Sequence, residues 1–96
     1  MKISLVSSAE TDIAESINYY SNINLSVASR FLGDLDDTIG FLSRFPEASP
    51  EVYKNIRRKL LKIFPYGVYY SYHQDEITVY AVIHESRNPE ILYSRV

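Results

Sequence analysis

Hydrophobic positions change their spacing once along this chain, near residue 50. After a short β-branched segment at the start, they recur every three to four residues, which is the period of an amphipathic helix. Beyond residue 50 they alternate with polar positions, which is the period of a strand with one buried face. This order predicts a first strand, then helices, then most of a sheet.

The helical part divides into two stripes. The opening segment KISLV predicts the first strand, and SSAE follows it with the spacing of a capping box, so a helix is expected to begin with Ser7 as its cap. Its apolar stripe runs through Ile13, Ile17 and Tyr20. The linker to the next stripe is short, which predicts an antiparallel helical hairpin.

The second stripe predicts a longer helix. Either Asn24 or Ser26 can cap it. Pro46 ends it, because proline lacks a backbone donor and restricts the residue before it. The apolar positions of this stripe are Ala28, Phe31, Leu32, Leu35, Ile39 and Leu42.

Three alternating segments follow the turn EASPE and predict strands over residues 56–63, 66–73 and 76–84. FPYG separates the first two, and HQDE forms a tight hairpin between the last two. The predicted fold is α+β and two-layered, in the order β-α-α-β-β-β, with the helical hairpin packed on one face of a mainly antiparallel sheet. Residues 1–96 are expected to form a single domain.

The last strand predicts which face of the sheet meets the helices. Every second residue from 77 to 83 is apolar, whereas the residues between them are mixed, so the first set is expected to face the helices. That set is Ile77, Val79, Ala81 and Ile83.

The segment IFPYGVYYSY holds five aromatic residues in ten positions, and strand geometry divides them between faces. Val68, Tyr70 and Tyr72 share one face and are expected in or beside the core. Tyr69 and Tyr80 are expected on the open face of the sheet or at its rim.

Composition narrows the classes of protein. Apolar residues make up 46% and charged residues 23%, as in an ordinary globular domain. The absence of cysteine excludes disulfides and thiolate sites, and two histidines without HxH or HExxH spacing predict no metal; no cofactor is predicted either. No segment resembles a signal peptide or a membrane span, so a cytoplasmic protein is expected.

Charge is unevenly distributed along the chain. The net charge is −2, yet residues 1–52 carry eight acidic against three basic residues, while residues 53–96 carry seven basic against four acidic. An anionic partner is therefore expected to meet the second half.

Several residues of that half are candidates for a site. The basic residues of the first long strand are either a charged edge that deters strand pairing or a contact for phosphate or carboxylate groups. They are Arg57, Arg58, Lys59 and Lys62. His84, at the end of the most apolar strand, is either a buried hydrogen-bonded histidine or a general acid or base.

The carboxyl-terminal segment HESRNPEILYSRV brings further candidates. Arg87, Tyr93 and Arg95 are expected to come within reach of one another after the last strand. They predict either an anionic-ligand site or contacts that tie the tail to the domain.

These residues give the chain a family resemblance. The element order, ESINYY, IRRKLLKIFPYGVYYSY and ITVYAVIHESRNPEILYSR together resemble the RelE/ParE superfamily of toxins from bacterial type II toxin–antitoxin operons. The resemblance covers nearly the whole chain. It implies a small toxin neutralised by a cognate antitoxin, a segment of which wraps the toxin's helices and sheet.

Two branches of that superfamily act differently. RelE-like members cleave messenger RNA on the ribosome, and in that interpretation Arg87, Tyr93, His84 and Lys59 would be catalytic. ParE-like members bind DNA gyrase, and in that interpretation target or anion contacts would come from basic residues and a tyrosine. These contacts would be Arg57, Arg58, Lys62, Tyr69 and Arg95.

The FPY phrase, the HxSRxP ending and the negative net charge favour the ParE-like branch. Gly67 stands where RelE-like enzymes carry a phosphate-binding arginine, so the nuclease set is incomplete. Whether the chain is an enzyme stays open, as do a degenerate, binding-only role and the oligomeric state.

Overall fold

The structure is a computed structural model that describes residues 1–96. Its order of elements confirms the predicted fold class, with helices and strands in the expected sequence. The elements are β1 (Lys2–Leu5), α1 (Ser7–Ile23), α2 (Leu25–Arg44), β2 (Glu51–Tyr53), β3 (Ile56–Leu60), β4 (Tyr66–His73), β5 (Glu76–His84) and a carboxyl-terminal 3₁₀ helix (Pro89–Ser94).

The sheet has five strands in the order β1-β5-β4-β3-β2. β1 runs parallel to β5, with Ile3 opposite Ile77, and every other pair is antiparallel. Two details differ from the prediction: β2 was not expected, and β3 ends at Leu60 rather than at residue 63. β3 ends early because the backbone of the next residues turns toward a carboxylate of α2, described below.

The helical hairpin turns at a single residue. Asn24 lies between the two helices in extended conformation, and its Oδ1 accepts a hydrogen bond of 2.8 Å from the backbone N–H of Ser26, which caps α2. The predicted cap of α1 was wrong: the helix does begin at Ser7, but Val6 occupies the cap position and no side chain caps it.

The main core lies between the helices and the sheet. Tyr70 and Val68, on β4, are fully buried there, as predicted, and Tyr72 packs at its edge. The Tyr70 hydroxyl also donates to the carbonyl of Pro46 at 2.8 Å, so it fixes the end of α2 against the sheet. Phe31 of α2 completes this region.

A β-bulge interrupts the pairing of β4 with β5. Tyr69 lies opposite Ala81 and Tyr70 lies opposite Val79, so Tyr80 is an extra residue on β5. A bulge of this kind changes the face to which the following side chains point.

The bulge makes one prediction wrong. Ile77 and Val79 face the helices as expected, but after the bulge it is Val82 that joins the main core. Ala81 and Ile83 lie instead in a second cluster on the other face of the sheet. The alternation of the sequence gives no sign of this change, because residues 81–83 are all apolar.

The 3₁₀ helix covers part of that other face. Its Leu92 is buried against Ile56, Ala81 and Ile83. Tyr69 belongs to the same cluster and is only 6% exposed, so it lies on the predicted face but not in the open. The sheet face opposite the helices is therefore partly closed by the chain's own tail.

Candidate functional site

A buried ion pair joins α1 to the end of the chain. Asp12 is 4% exposed, and its two carboxylate oxygens accept hydrogen bonds from Nη1 and Nη2 of Arg95 at 2.6 and 3.1 Å. Oδ2 of Asp12 also accepts from the backbone N–H of Val82 at 3.1 Å. Arg95 Nη1 donates in addition to the carbonyl of Tyr80 at 3.1 Å. The pair thus connects α1, β5 and the tail.

This geometry favours one of the two roles that the sequence left open for the tail. Arg95 has an internal partner and its side chain is only 11% exposed, so it ties the tail to the domain. Its contact with an external target or anion stays a prediction, and the site offers little exposed guanidinium for it.

A second buried carboxylate organises the loop between β3 and β4. Asp34 of α2 is 3% exposed and accepts three backbone N–H groups. Its donors are Lys62 at 3.1 Å, Ile63 at 2.9 Å and Phe64 at 2.7 Å. The carboxylate satisfies successive main-chain donors that no strand can pair, which is why β3 stops at Leu60.

His84 and Arg87 share a cavity of about 210 Å³ between α1 and the end of β5. His84 Nδ1 accepts a hydrogen bond from the backbone N–H of Ser86 at 3.0 Å, so the neutral ring carries its proton on Nε2. The ring packs edge-on against Tyr66, with 5.3 Å between ring centroids. His84 is hydrogen-bonded but only partly buried, so it is not the fully buried histidine of the prediction, and a role as acid or base stays a prediction.

Arg87 is half exposed at the mouth of this cavity. Its Nη1 lies 3.9 Å from Oδ1 of Asp12, which already pairs with Arg95. The Arg87 side chain is 50% exposed, so it can reach solvent or a ligand.

Tyr93 belongs to a different cavity, of about 110 Å³, on the face of the sheet that the 3₁₀ helix covers. Tyr93 is 58% exposed, and the centroid of its ring lies 4.6 Å from that of Tyr53. Arg58 and Tyr69 line the same cavity. Arg87 is absent from this lining. The expected approach of Arg87 to Tyr93 is therefore not observed as a shared site.

Lys59 and Lys62 occupy a third place, a cavity between α2 and β3. Lys59 Nζ lies 4.5 Å from the centroid of the Phe41 ring, a cation–π distance. The four candidate nuclease residues thus fall in three separate cavities.

The remaining basic candidates differ in their freedom. Arg57 Nη1 donates to the carbonyls of Glu47 and Ser49 at 3.0 and 2.7 Å, so it holds the loop before β2. Arg58 is exposed and its side chain lies over Gly67: a Cβ at position 67 would stand 3.3 Å from Arg58 Cγ and Cδ. A longer side chain at position 67 would need the space that Arg58 fills.

The model of the family described as ParE toxin of type II toxin–antitoxin system, parDE, matches residues 3–89 of the chain. The chain belongs to the ParE toxin family. This confirms the resemblance found in the sequence and its ParE-like branch.

The fold of this ParE family member is also similar to a solved structure described as the chromosomal ParDE TA system from P. aeruginosa. The TM-score is 0.69 at 14% sequence identity, over 88% of this chain and 95% of that one. At this identity the likeness supports the fold alone. No curated protein sequence matches the chain.

Membership in a family of type II toxins implies an antitoxin partner for this ParE-type toxin. No group of three or more histidine, cysteine, aspartate or glutamate side chains is placed to hold a metal ion. Neither helix is both long and apolar enough to cross a membrane.

Sequence reasoning missed the two structural aspartates of this toxin, although both left a signal. Asp34 follows Phe31 by three residues and precedes Thr38 by four, so it lies on the buried stripe of α2. Asp12 lies four residues before the buried Ser16 in the same way. A carboxylate on an apolar stripe must find partners, because burying it unpaired is costly.

One tyrosine near the first cavity titrates abnormally. Burial, and after it a hydrogen bond with Tyr66, raises the pKa of Tyr20 to about 12. Its ring packs against Phe31 and Phe64, with centroid distances of 5.4 and 5.1 Å. Tyr20 therefore keeps its proton near neutral pH and packs within the hairpin.

Proposed function

We propose that this chain is a toxin that stops growth by binding a cellular protein such as DNA gyrase, and that a cognate antitoxin neutralises it. Its membership in the ParE family supports the toxin role. The choice of binding over RNA cleavage is carried by one observation: Lys59, Tyr93 and the pair of His84 with Arg87 line three separate cavities.

Cleavage of RNA through its 2′-hydroxyl needs a base, an acid and a cation around one phosphate. A base or acid must come within about 3 Å of the proton it transfers, or act through one water. Lys59 packs on Phe41 on the helix side of the sheet, whereas Tyr93 packs on Tyr53 on the opposite side, so these two side chains do not converge on one phosphate. The negative net charge adds to this, because binding to ribosomal phosphate gains its affinity from cations.

The test is inducible expression followed by two assays in vitro. We expect growth arrest, inhibition of supercoiling by purified DNA gyrase, and no cleavage of messenger RNA in toeprinting on translating ribosomes. Cleavage at the ribosomal A site without an effect on gyrase would instead support the RelE-like alternative. Normal growth under full expression would support a degenerate, binding-only member.

Two variants separate binding from catalysis further. Tyr93→Phe removes one hydroxyl and keeps the ring on Tyr53, so the growth arrest is expected to persist. Arg87→Ala removes a half-exposed guanidinium and should leave the fold intact. In a nuclease both changes would abolish cleavage. Arg87→Ala removes a cation that stabilises the negative charge developing on the phosphate, and Tyr93→Phe removes a hydroxyl that can transfer a proton.

The antitoxin part of the proposal is supported by apolar side chains left in solvent. Tyr19, Ile23 and Leu25 at the tip of the helical hairpin are 61%, 61% and 75% exposed, and Ile63 is 62% exposed. Exposed apolar surface of this kind commonly marks a protein contact. Co-expression of the short reading frame beside this one should restore growth and yield a complex in which these residues are covered.

A further inference from the structure

The cavity of about 210 Å³ that His84 and Arg87 share has an apolar lining and a charged mouth, and we call it the α1–β5 cavity. Tyr66 and Val82 are buried residues of its lining. Glu15 and Arg87 also line it and are exposed, so they lie at its mouth. A ligand in this cavity would meet apolar surface together with charges of both signs.

The turn after β5 fixes His84 as a hydrogen-bond donor. The backbone N–H of Arg87 donates to the His84 carbonyl at 3.0 Å and closes this turn. Nδ1 of His84 accepts from the Ser86 N–H at 3.0 Å, and the Ser86 Oγ lies 2.8 Å from the same nitrogen. The neutral ring therefore keeps its proton on Nε2, which has no hydrogen-bond acceptor within the chain.

Arg87 also has donors to spare. Both carboxylate oxygens of Asp12 accept hydrogen bonds from Arg95, and the nearer nitrogen of Arg87 stays 3.9 Å from Asp12. The Arg87 side chain is half exposed and makes no hydrogen bond within the chain. Its guanidinium can therefore pair with an anion from solution.

The edge of β5 that borders this cavity is unpaired beyond Val79. β1 is the neighbouring strand there, and its pairing ends where Leu5 lies opposite Val79. On this edge the Val82 N–H donates to Asp12 at 3.1 Å. Main-chain groups two residues apart point to the same edge of a strand, so the Val82 carbonyl and the His84 N–H lie there without a strand to pair them.

We propose that the α1–β5 cavity binds a free α-amino acid with an apolar or aromatic side chain. Its carboxylate would accept hydrogen bonds from Arg87 and from the ring or backbone N–H of His84. Its ammonium would donate to Glu15 and to the Val82 carbonyl, and its side chain would pack on Tyr66. Sites for small molecules commonly combine an apolar lining with a few polar groups that fix orientation in this way.

The charges of the cavity favour a zwitterion over a simple ion. Asp12 is neutralised by Arg95, so Glu15 and Arg87 are the remaining charges of the lining. A phosphate dianion would gain Arg87 but would be repelled by Glu15, and a simple amine would leave Arg87 without an anion. An amino acid satisfies both residues at once. This inference is independent of the toxin's cellular target.

Binding would make the stability of the fold depend on the supply of free amino acid. The ligand would join α1 to the end of β5, the two elements that Asp12 already connects. A ligand that binds the folded chain and not the unfolded one raises its apparent stability. The amount of folded toxin would then rise with the concentration of that amino acid.

NMR titration of the purified full chain tests the proposal, with L-phenylalanine as the probe. We expect the amide signals of His84 and Ser86 to shift and saturate with a Kd of about 1 mM or tighter, an affinity within the range of so small a ligand. Phenylpropionate lacks the ammonium and phenylethylamine lacks the carboxylate, so each should bind at least about tenfold more weakly.

Two neutralising variants assign the partners. Arg87→Gln should weaken binding of L-phenylalanine at least about tenfold and remove its advantage over phenylethylamine. Glu15→Gln should weaken it by a similar factor and remove its advantage over phenylpropionate, a change of preference that a merely structural role would not produce. Arg30→Gln and Glu10→Gln are the matched controls, because both residues are exposed on helices outside the cavity, and both should stay within about twofold of the parent.

Four results would overturn the proposal. The first is no saturable binding up to about 20 mM L-phenylalanine, and the second is equal affinity for the three probes. The third is equal loss of binding in the variants and their matched controls. The fourth is tighter binding of inorganic phosphate than of L-phenylalanine, which would make the cavity an anion site instead.

Discussion

Removal of the Asp12 carboxylate should destabilise this protein strongly, because the carboxylate connects α1 to β5 and to the tail. Asp12→Ala leaves the Arg95 guanidinium without its carboxylate, while the Arg95 side chain stays only 11% exposed to water. It also leaves the Val82 N–H without an acceptor. Arg87 and Arg95 then both lose the carboxylate that lies between their positive charges. Breaking a buried pair in this way costs about 3 to 5 kcal/mol.

That loss is large for a domain of this size. Small domains have a free energy of unfolding of about 5 to 15 kcal/mol, and each kilocalorie lowers Tm by about 4 to 8 °C. Urea unfolding followed by far-UV circular dichroism should therefore show a clear fall in midpoint for Asp12→Ala. Glu10→Ala, an exposed carboxylate of the same helix, should change the free energy by less than about 0.5 kcal/mol.

A double-mutant cycle identifies the cause. Arg95→Met should cost less than Asp12→Ala, because Arg87 lies 3.9 Å from Asp12 and can partly replace the lost cation. Asp12→Ala combined with Arg95→Met should recover much of the loss and retain about 1 to 3 kcal/mol of it, which is the cost of the orphaned Val82 N–H. An Asp12→Ala effect below about 1 kcal/mol, or a double variant that loses the full sum of the single changes, would refute this reasoning.

Three further predictions concern other parts of the molecule. Asp34→Ala should cost at least about 2 kcal/mol in urea unfolding because three backbone donors lose their acceptor, whereas Asp36→Ala, exposed on the same helix, should be near neutral; equal effects would contradict this role. The free energy of unfolding should fall as pH rises from about 10 to about 12, because the unfolded chain releases the Tyr20 proton at lower pH than the folded one, and Tyr20→Phe should flatten that slope in alkaline titrations. Ser49→Ala should be neutral or stabilising in thermal unfolding, since its buried Oγ has no hydrogen-bond partner, and a loss above about 1 kcal/mol would mean that the hydroxyl has one.

The sequence predicts most of the fold because local patterns determine it. The apolar residues of both helices follow the helical period and pack in the main core where that period places them. Examples are Ile13 and Ile17 in α1 and Phe31 and Leu35 in α2. The bulge at Tyr80 escapes prediction, because apolar residues on both sides satisfy either register. The face of Ala81 is decided by pairing with β4 and not by its own neighbours in sequence.

The candidate site is less predictable because distant residues build it. Asp12 and Arg95 are 83 positions apart, and no local period relates them. Sequence reasoning singled out the segment that follows the last strand, but it grouped Arg87 with Tyr93, whereas the 3₁₀ helix carries Tyr93 to another cavity.

The pairing of Asp12 with Arg95 has a consequence for how the protein is made. The carboxylate leaves the ribosome 83 residues before its cation, so the helical hairpin lacks its main charge partner while the sheet is being synthesised. A product that ends before the 3₁₀ helix would keep only the Arg87 contact and would lack Leu92 over the cluster that holds Tyr69. Premature termination before Arg95 should therefore yield a chain that quality-control proteases degrade.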